Sequence, residues 1–283
     1  MTFVVGLAPD AHGDDAAAQL ASMLARAGGE DLLAATIVPA PWVPGPARVD
    51  AEYQAELAEI ADAAIERTRS RFPEGTRFVV HHARSVPVGL LELAERHGAS
   101  MLVLGSASHG AHGFVALGGV SDRLVHSSSL PVALAPRGFR CRGQCPVTRV
   151  TVAYGGTDDA LVEAAAEVAG RVGAALRVAS FAVRPHPPVE AGVGRLADDA
   201  MVSQWERDVR AALGGEHHLV VGHGETWDEA LEDIEWADGD VLVVGSSAIG
   251  PIARVFLGSR AAKIVRHSPV PVVVVPRKVL TDA

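Results

Sequence analysis

Two stretches of this chain share one construction and lie a fixed distance apart. The earlier stretch reads MLVLG, SASHGAHGFVALGG and, after a short polar segment, PVALAP, while the later one, residues 241–276, runs from VLVVG through a similar loop to PVVVVP. The loops open at Gly105 and Gly245, which are 245 − 105 = 140 positions apart. They close at Gly118 and Gly258, and 258 − 118 is again 140. The chain is therefore predicted to be a tandem repeat.

A repeat of this period divides the 283 residues into two domains of ordinary size. We expect a first domain over 1–137, a linker over 138–147, a second domain over 148–278 and a tail over 279–283. Hydrophobic residues make up 48% of the chain, which is enough to fill one core in each domain.

Each half alternates short apolar runs with segments of helical periodicity. In the first half the apolar runs lie at 3–8, 32–38, 77–81, 101–104 and 132–135, and the second half repeats this order. Strands that are apolar throughout are typical of a parallel sheet covered by helices on both faces. We therefore predict an α/β fold of two open, doubly wound, five-stranded sheets. Ligands of such sheets bind beyond the carboxyl ends of the strands, where the glycine loops lie.

The residue types of the later loop are those of an anion-binding site. Gly245, Ser246 and Ser247 follow the strand, and Gly258 and Ser259 come directly before the next helix. Glycine lets the backbone approach a ligand, and the first turn of a helix offers unpaired N–H groups and the positive end of its dipole. A second interpretation is that these residues serve only a tight turn and helix packing, with Ser259 as an ordinary N-cap.

Charge and hydropathy exclude several classes of function. Residues 1–137 carry 15 acidic and 10 basic side chains, residues 148–283 carry 19 and 13, and the formal net charge of the chain is −9. Sequence-independent nucleic-acid binding needs a basic surface, so this class is disfavoured. The N-terminus lacks the pattern of a secretion signal, and no apolar run approaches the ~20 residues of a membrane span. We expect a cytoplasmic protein that binds neither nucleic acid nor membrane.

The sequence offers little for catalysis or metal binding. It contains no nucleophile elbow, no complete P-loop lysine motif and no metal-ligand cluster at a diagnostic spacing. Cys141 and Cys145 have C-x3-C spacing in the linker. They are interpreted as thiols without a dedicated role, as a redox pair, or as half of a zinc site, and the absence of a second ligand pair favours the first. We expect a binding protein rather than an enzyme.

Together these features resemble a tandem universal stress protein. The resemblance rests on the repeat, on both loops, and on the endings GGVSDRLVHSSSLPVALAPR and GSRAAKIVRHSPVPVVVVPR. It implies the strand order 3-2-1-4-5 in each half, as in adenine nucleotide alpha hydrolase-like folds, and an intramolecular pseudo-dimer joined through the fifth strands. A homodimer of whole chains and an unnamed protein partner are further expectations. In one subclass the family binds ATP, here with Mg²⁺ as an expected companion, through G-x2-G-x9-G-(S/T).

The two repeats depart from that motif to different degrees. The second keeps three of its four positions and has Ala248 at the other, whereas the first has Ser108 and Gly119 at the second and last positions. The resemblance therefore implies that the second half binds ATP or a related adenine nucleotide. The predicted nucleotide-binding residues are Gly245, Ser246, Ser247, Ala248, Arg254, Gly258 and Ser259, and the degenerate first site comprises Gly105, Ser106, Ser108, Gly118 and Gly119.

One further departure favours an alternative function. ATP-binding relatives carry an aspartate just after the first strand, and the matching positions here are Ala8 and Gly155. Neither half has the aspartate. The alternative is a universal stress protein that binds no nucleotide and acts as a structural or protein-interaction module.

Overall fold

The computed structural model describes residues 1–8, 15–39, 47–141, 145–184, 193–213, 217–248 and 255–276. Strands and helices alternate in both halves. The first half contains β1 (Thr2–Leu7), α1 (Ala16–Gly28), β2 (Asp31–Pro39), α2 (Ala47–Arg69), β3 (Arg77–Ala83), α3 (Val86–Arg96), β4 (Ala99–Leu104), α4 (Gly119–Ser127) and β5 (Val132–Leu134). The second contains β6 (Arg149–Ala153), α5 (Asp159–Val172), β7 (Ala175–Val183), α6 (Val193–Ala212), β8 (Leu219–Gly224), α7 (Trp227–Glu232), β9 (Asp240–Gly245), β10 (Ser247–Ala248), β11 (Val255–Phe256), α8 (Ser259–His267) and β12 (Val272–Val275).

The strands of both halves join in one ten-stranded sheet, in the order β3-β2-β1-β4-β5-β12-β9-β6-β7-β8. Within each half the strands are parallel and follow the order 3-2-1-4-5, so the prediction of a doubly wound α/β fold is confirmed. The halves meet where β5 pairs antiparallel with β12, with Val132 opposite Val274. The two predicted sheets are thus continuous with each other.

The antiparallel junction determines where the two glycine loops lie. Each loop follows the fourth strand of its half, which is β4 in the first half and β9 in the second. Because β5 and β12 run in opposite directions, the carboxyl ends of the strands of the two halves lie at opposite edges of the joined sheet. The loops are therefore at opposite ends of the molecule.

The buried apolar residues form two clusters, one for each face of the sheet. One cluster combines side chains of α1 and α5, such as Leu20 and Leu161. The other combines side chains of α3 and α7, such as Leu90 and Leu231. Both clusters draw residues from both halves, so the two cores are divided by the faces of the sheet and not by the two halves of the chain. The reason is the β5–β12 pairing, which makes each face of the sheet continuous across the junction.

A buried arginine on β7 distinguishes the second half. Arg177 is 2% exposed, and it donates from Nε to Thr151 Oγ1 at 3.0 Å and from Nη1 to Glu235 O at 2.8 Å. Its guanidinium lies over the ring of Trp236, 4.7 Å from the centroid. The side chain therefore holds the segment between α7 and β9 against the sheet.

Arg177 belongs to a charged cluster that also contains Arg149 and Asp240, and Asp240 is its carboxylate. Arg149 donates from Nε to Asp240 Oδ1 at 3.1 Å and from Nη2 to the other carboxylate oxygen, and Arg177 Nη2 lies 3.8 Å from that oxygen. Desolvation by burial and, second, the charge of Arg149 lower the pKa of Arg177. Two guanidinium groups thus depend on one buried carboxylate.

The first half has no such cluster at the equivalent positions. Thr151 pairs with Arg177 across β6 and β7 as Val4 pairs with Leu33 across β1 and β2. Asp240 corresponds to Ser100, because 240 − 140 is 100. The fold accepts apolar or neutral residues at these sites, so the charged cluster is a feature of the second half and not a requirement of the sheet.

Gly222 of β8 allows the backbone of α7 to lie directly on the strand. A Cβ atom at this position would be 2.0 Å from Ala230 O and 3.0 Å from Ile234 Cγ1. We expect Gly222→Ala to lower the free energy of unfolding by about 1–3 kcal/mol, because the helix must move outward. Urea unfolding measures this. The control is Gly170→Ala in α5, where a Cβ meets nothing within 4 Å and about 0.5–1 kcal/mol of stabilisation is expected. Equal effects of the two changes would contradict the argument.

Candidate functional site

The loop of the second half continues beyond β9 as a two-stranded antiparallel ribbon. Ser247 on β10 lies opposite Phe256 on β11, and Ala248 lies opposite Val255. No residue other than glycine has a positive φ in the described part of the chain, so Ala248 occupies the second motif position without backbone strain. Arg254, predicted to assist phosphate binding, lies outside the described residues. The ribbon brings the two ends of the loop side by side.

Helix α8 begins where this ribbon ends. Gly258 is its N-cap, with φ −56° and ψ 158°, and among the described residues no side chain caps the helix. Ser259 and Arg260, in the first turn, are exposed. The third helical residue is Ala261, whose side chain has no acceptor. Because the first-turn N–H groups of a helix lack intrahelical partners, α8 presents backbone donors at the place where the sequence predicts a phosphate.

In the corresponding helix of the first half, α4, a first-turn side chain bonds back to the backbone of the N-cap glycine. Gly118 N donates to Ser121 Oγ at 2.8 Å, and the Ser121 hydroxyl donates to Gly118 O at 3.2 Å. Ser121 is 4% exposed. It corresponds to Ala261, since 261 − 140 is 121. The two helix N-termini therefore differ in whether a side chain engages the backbone of the N-cap glycine, as Ser121 does at Gly118.

The loop of the first half is closed by internal hydrogen bonds. Ser106 Oγ donates to Ala135 O at 2.7 Å and accepts from Ala116 N at 3.0 Å. Arg137 Nη1 donates to Gly110 O. These bonds tie both sides of the loop to the strand β5 region. Ser106, predicted as part of the degenerate site, is thus engaged by its own loop.

Among the remaining residues of the degenerate first site, Gly118 has a close neighbour, whereas Gly105 and Gly119 do not. A Cβ at Gly105 would be 3.7 Å from Ala17 Cβ, which is ordinary van der Waals contact, and a Cβ at Gly119 would meet nothing within 4 Å. Ser108 is exposed. A Cβ at Gly118 would lie 3.2 Å from Ala107 Cβ, so the loop packs tightly on this N-cap. The N-cap glycine of the first half, Gly118, is therefore packed against Ala107 of its own loop.

A carboxylate lies beside the glycine that opens the second loop. A Cβ at Gly245 would be 2.9 Å from Asp158 Oδ2 and 3.1 Å from Leu161 Cδ2. Asp158 is the N-cap of α5. The family resemblance predicts an aspartate directly after the strand, at the position of Gly155. Asp158 lies three positions later and was not predicted. The acidic pair that precedes the α5 helical pattern was the available signal.

Ser246 has its backbone and side chain directed into the protein. It is 3% exposed, and its N–H donates to Val275 O at 3.0 Å. The amide of Ser246 is therefore committed to the strand β12. The start of α8, at Gly258 and Ser259, offers backbone donors instead.

Tyr154 closes the base of the loop between β6 and α5. Its hydroxyl donates to Asp159 Oδ1 at 2.6 Å and also approaches Ala212 O at 3.3 Å. Burial, with the hydrogen bond to Asp159 second, raises the pKa of Tyr154 to about 12. The next two residues, Gly155 and Gly156, would meet nothing within 4 Å if they carried a Cβ. The turn thus has a Tyr154 side chain held by hydrogen bonds, followed by two glycines with open space around them at the carboxyl end of β6.

Helix α8 carries a row of cationic side chains. Arg260, Lys263 and Arg266 are all exposed. Lys263 Nζ lies 5.9 Å from the centroid of the Trp227 ring on α7, which places this ammonium over the neighbouring helix. Of the cations described near the loop, Arg260 is the one in the first turn of the helix.

The second loop also contacts the first half of the chain. Strand β11 lies against α4, across the β5–β12 junction. Helix α4 runs back toward the amino-terminal ends of the strands of its own half, which is the edge where the second loop lies. The candidate site therefore has one wall from each half of the chain.

The described residues contain no group of three histidine, cysteine, aspartate or glutamate side chains arranged to hold a metal ion. Within the same parts of the chain, no helix combines the length and apolarity that a membrane span requires.

Comparison with known proteins gives a consistent result. A model described as the Universal stress protein family matches residues 1–136 and 146–276. Universal stress proteins of Mycobacterium tuberculosis and Mycobacterium bovis are 38% identical to the chain over 293 residues, covering 98% of this chain and 100% of each relative. A solved universal stress protein from Archaeoglobus fulgidus has a TM-score of 0.56 at 19% identity and covers 98% of both chains. A functionally unknown protein from Pseudomonas aeruginosa has a TM-score of 0.57 at 14% identity, with coverage of 99% of this chain and 94% of that one.

Proposed function

This chain belongs to the universal stress protein family, and on that premise we propose that it is a stress-response binding protein whose second half holds ATP or a related adenine nucleotide. The phosphates lie at the N-terminus of α8, around Gly258 and Ser259. The two halves act as an intramolecular pseudo-dimer, and the cytoplasmic location predicted from the sequence is part of the proposal.

One observation carries the proposal: the two equivalent helices differ at their N-termini. In α4 the Ser121 hydroxyl and the packed Ala107 occupy the N-cap region of Gly118. In α8, Ala261 stands at the position of Ser121, and no described side chain caps the helix. Phosphate oxygens accept strong hydrogen bonds from the N–H groups in the first turn of a helix, and the helix dipole favours the negative charge of the phosphate. The asymmetry supports one nucleotide per chain.

Charged side chains around the loop complete the proposed site. Arg260 lies in the first turn of α8, where a guanidinium pairs with phosphate oxygens. Asp158 brings a negative charge to Gly245, on the opposite side of the loop. A divalent cation offsets repulsion between that carboxylate and the phosphates, so we propose that the nucleotide binds with Mg²⁺.

We propose binding without rapid turnover. Ser246 is turned into the protein, and Ser259 has no described base beside it to activate the hydroxyl. Nucleotide hydrolysis needs a positioned nucleophile or water as well as a phosphate cradle. The bound nucleotide therefore serves as a signal for conformation or partner choice.

A titration of the whole chain tests the proposal. We expect freshly purified protein to release adenine nucleotide on denaturation, and stripped protein to bind ATP with Mg²⁺ at one equivalent per chain in calorimetry. Two equivalents would show that the closed loop of the first half also opens to ligand. Absence of both released nucleotide and binding heat would overturn the proposal.

A second candidate function is a nucleotide-independent interaction module. It is favoured by the closed loop of the first half, in which Ser106 and Arg137 make internal hydrogen bonds. The lack of an aspartate at Ala8 and Gly155 points the same way. A null titration with a fully folded chain is the result that this candidate requires.

A further inference from the structure

The segment that connects the two halves is anchored on each of them. On the first half, Arg140 forms an ion pair with Asp15. Arg71 binds the same carboxylate, with its Nε 3.1 Å from Asp15 Oδ2. On the second half, Thr148 Oγ1 donates to Asp238 O at 3.2 Å, and Thr148 N donates to the next carbonyl at 2.9 Å. Cys141 and Cys145 lie between these two anchors.

The two cysteines contact each other and are not joined by a disulfide. Both are half-buried and pack at the margin of the core cluster that contains α1 and α5. The Cys141 thiol lies 3.9 Å from Cys145 O, and the two side chains are hydrogen-bonded to each other. Arg26, in the last turn of α1, donates from Nη2 to Cys141 Sγ at 3.6 Å.

The environments of the two sulfur atoms differ. Burial and, second, the hydrogen bond with Cys141 raise the pKa of Cys145 to about 11, so this thiol keeps its proton at neutral pH. Cys141 has the Arg26 guanidinium beside its sulfur. The attacking sulfur of a cysteine carries negative charge in the reaction, and an adjacent guanidinium stabilises that charge. Cys141 is therefore the attacking sulfur of the pair and Cys145 the resolving one.

We propose that Cys141 and Cys145 are a peroxide-reactive dithiol that closes to a reversible disulfide within the linker. The Cys141 thiolate attacks a hydroperoxide, the O–O bond breaks, and a sulfenic acid forms on Cys141 while an alcohol or water leaves. Cys145 sulfur then attacks that sulfur, the S–O bond breaks, and water leaves with the Cys145 proton. Two thiols and one hydroperoxide thus give one disulfide, one alcohol and one water.

The disulfide links the two anchored ends of the connecting segment. The chain on the Cys141 side is held to the first half by Arg140, and the chain on the Cys145 side is held to the second half by Thr148. Reversible disulfides in reducing compartments are typically catalytic or redox-sensing, in contrast to structural bridges. The proposed reaction is independent of nucleotide binding.

The test treats the reduced whole chain with hydrogen peroxide and follows its mass and its free thiols. We expect the mass to fall by about 2 Da, with a Cys141–Cys145 bridge in the peptide map and recovery by dithiothreitol. In Cys145→Ser, oxidation should stop at a sulfenic acid on Cys141 that dimedone labels. No mass loss, a bridge only between two chains, or first labelling at Cys145 would each overturn the proposal.

A matched pair of arginine variants tests the role assigned to Arg26. Arg26→Gln should slow disulfide formation about fivefold, because it removes the positive charge beside the Cys141 sulfur. Arg171 occupies the last turn of α5 as Arg26 occupies that of α1, so Arg171→Gln is the control and should leave the rate unchanged. Equal rates for the two variants would remove Arg26 from the mechanism.

Discussion

Replacing Asp240 by alanine is expected to lower the free energy of unfolding by about 3–5 kcal/mol, the usual cost of removing one partner from a buried ion pair. Asp240 accepts from Arg149 and from Ala237 N at 3.0 Å, and it is the carboxylate nearest to Arg177. Without it, two guanidinium groups with little access to water keep their charge and lose their counterion. Urea unfolding of the whole chain measures the loss.

The first half of the chain supplies the control for this experiment. Ser100→Ala, at the equivalent position, removes no charge and should cost less than about 1 kcal/mol. A triple variant, Arg149→Thr, Arg177→Leu and Asp240→Ser, copies Thr2, Leu33 and Ser100, the residues of the first half at the equivalent strand positions. It should recover more than half of the stability lost in Asp240→Ala, because apolar packing can replace a buried charged cluster. A triple variant as unstable as the single one would contradict this view.

Gly258→Val is expected to weaken ATP binding about 10-fold to 100-fold. The proposed phosphates approach the N-cap of α8, and hydrogen bonds to charged groups contribute about 1.5–3 kcal/mol each. The backbone of Gly258, with φ −56° and ψ 158°, suits any residue, so the variant should keep its fold. Calorimetry with ATP and Mg²⁺ gives the affinity, and urea unfolding confirms that the chain is intact.

Gly118→Val is the matched change in the first half. It presses on Ala107 and should lower stability, while the affinity for ATP stays at the wild-type value. If Gly258→Val binds ATP as the wild type does, the site is not at α8. If Gly118→Val loses binding and Gly258→Val does not, the assignment of the two halves is reversed.

The fold was accessible from the sequence because its signals are local and repeated. Continuous apolar strands such as VLVVG, and a repeat in register over 140 positions, predict the doubly wound halves. The division of the core was not predictable in the same way. It depends on β5 pairing with β12, two strands separated by most of the second half, and this pairing merges the faces of both sheets.

The position of the two glycine loops was predictable from the sequence, and their internal contacts were less so. The glycine spacing located both loops at the ends of β4 and β9. Which of the two loops closes on itself depends on Ser121 and on the hydrogen bonds of Arg137, and these residues lie outside the motif. The same limit applies to the segment that follows α7. This helix ends at Glu232, and Trp236 then lies beside Arg177, a residue distant in the sequence.

The antiparallel seam between β5 and β12 gives this chain a property that a dimer of one repeated domain lacks. In such a dimer the two ends of the joined sheet are related by two-fold symmetry, so a partner can bind it in two equivalent orientations. Here the ends carry different loops: the loop that closes at Gly118 has this glycine bonded to Ser121, and the loop that closes at Gly258 has no such bond among the described residues. The two ends of the joined sheet are therefore chemically different, so the two orientations in which a partner could meet both ends are not equivalent.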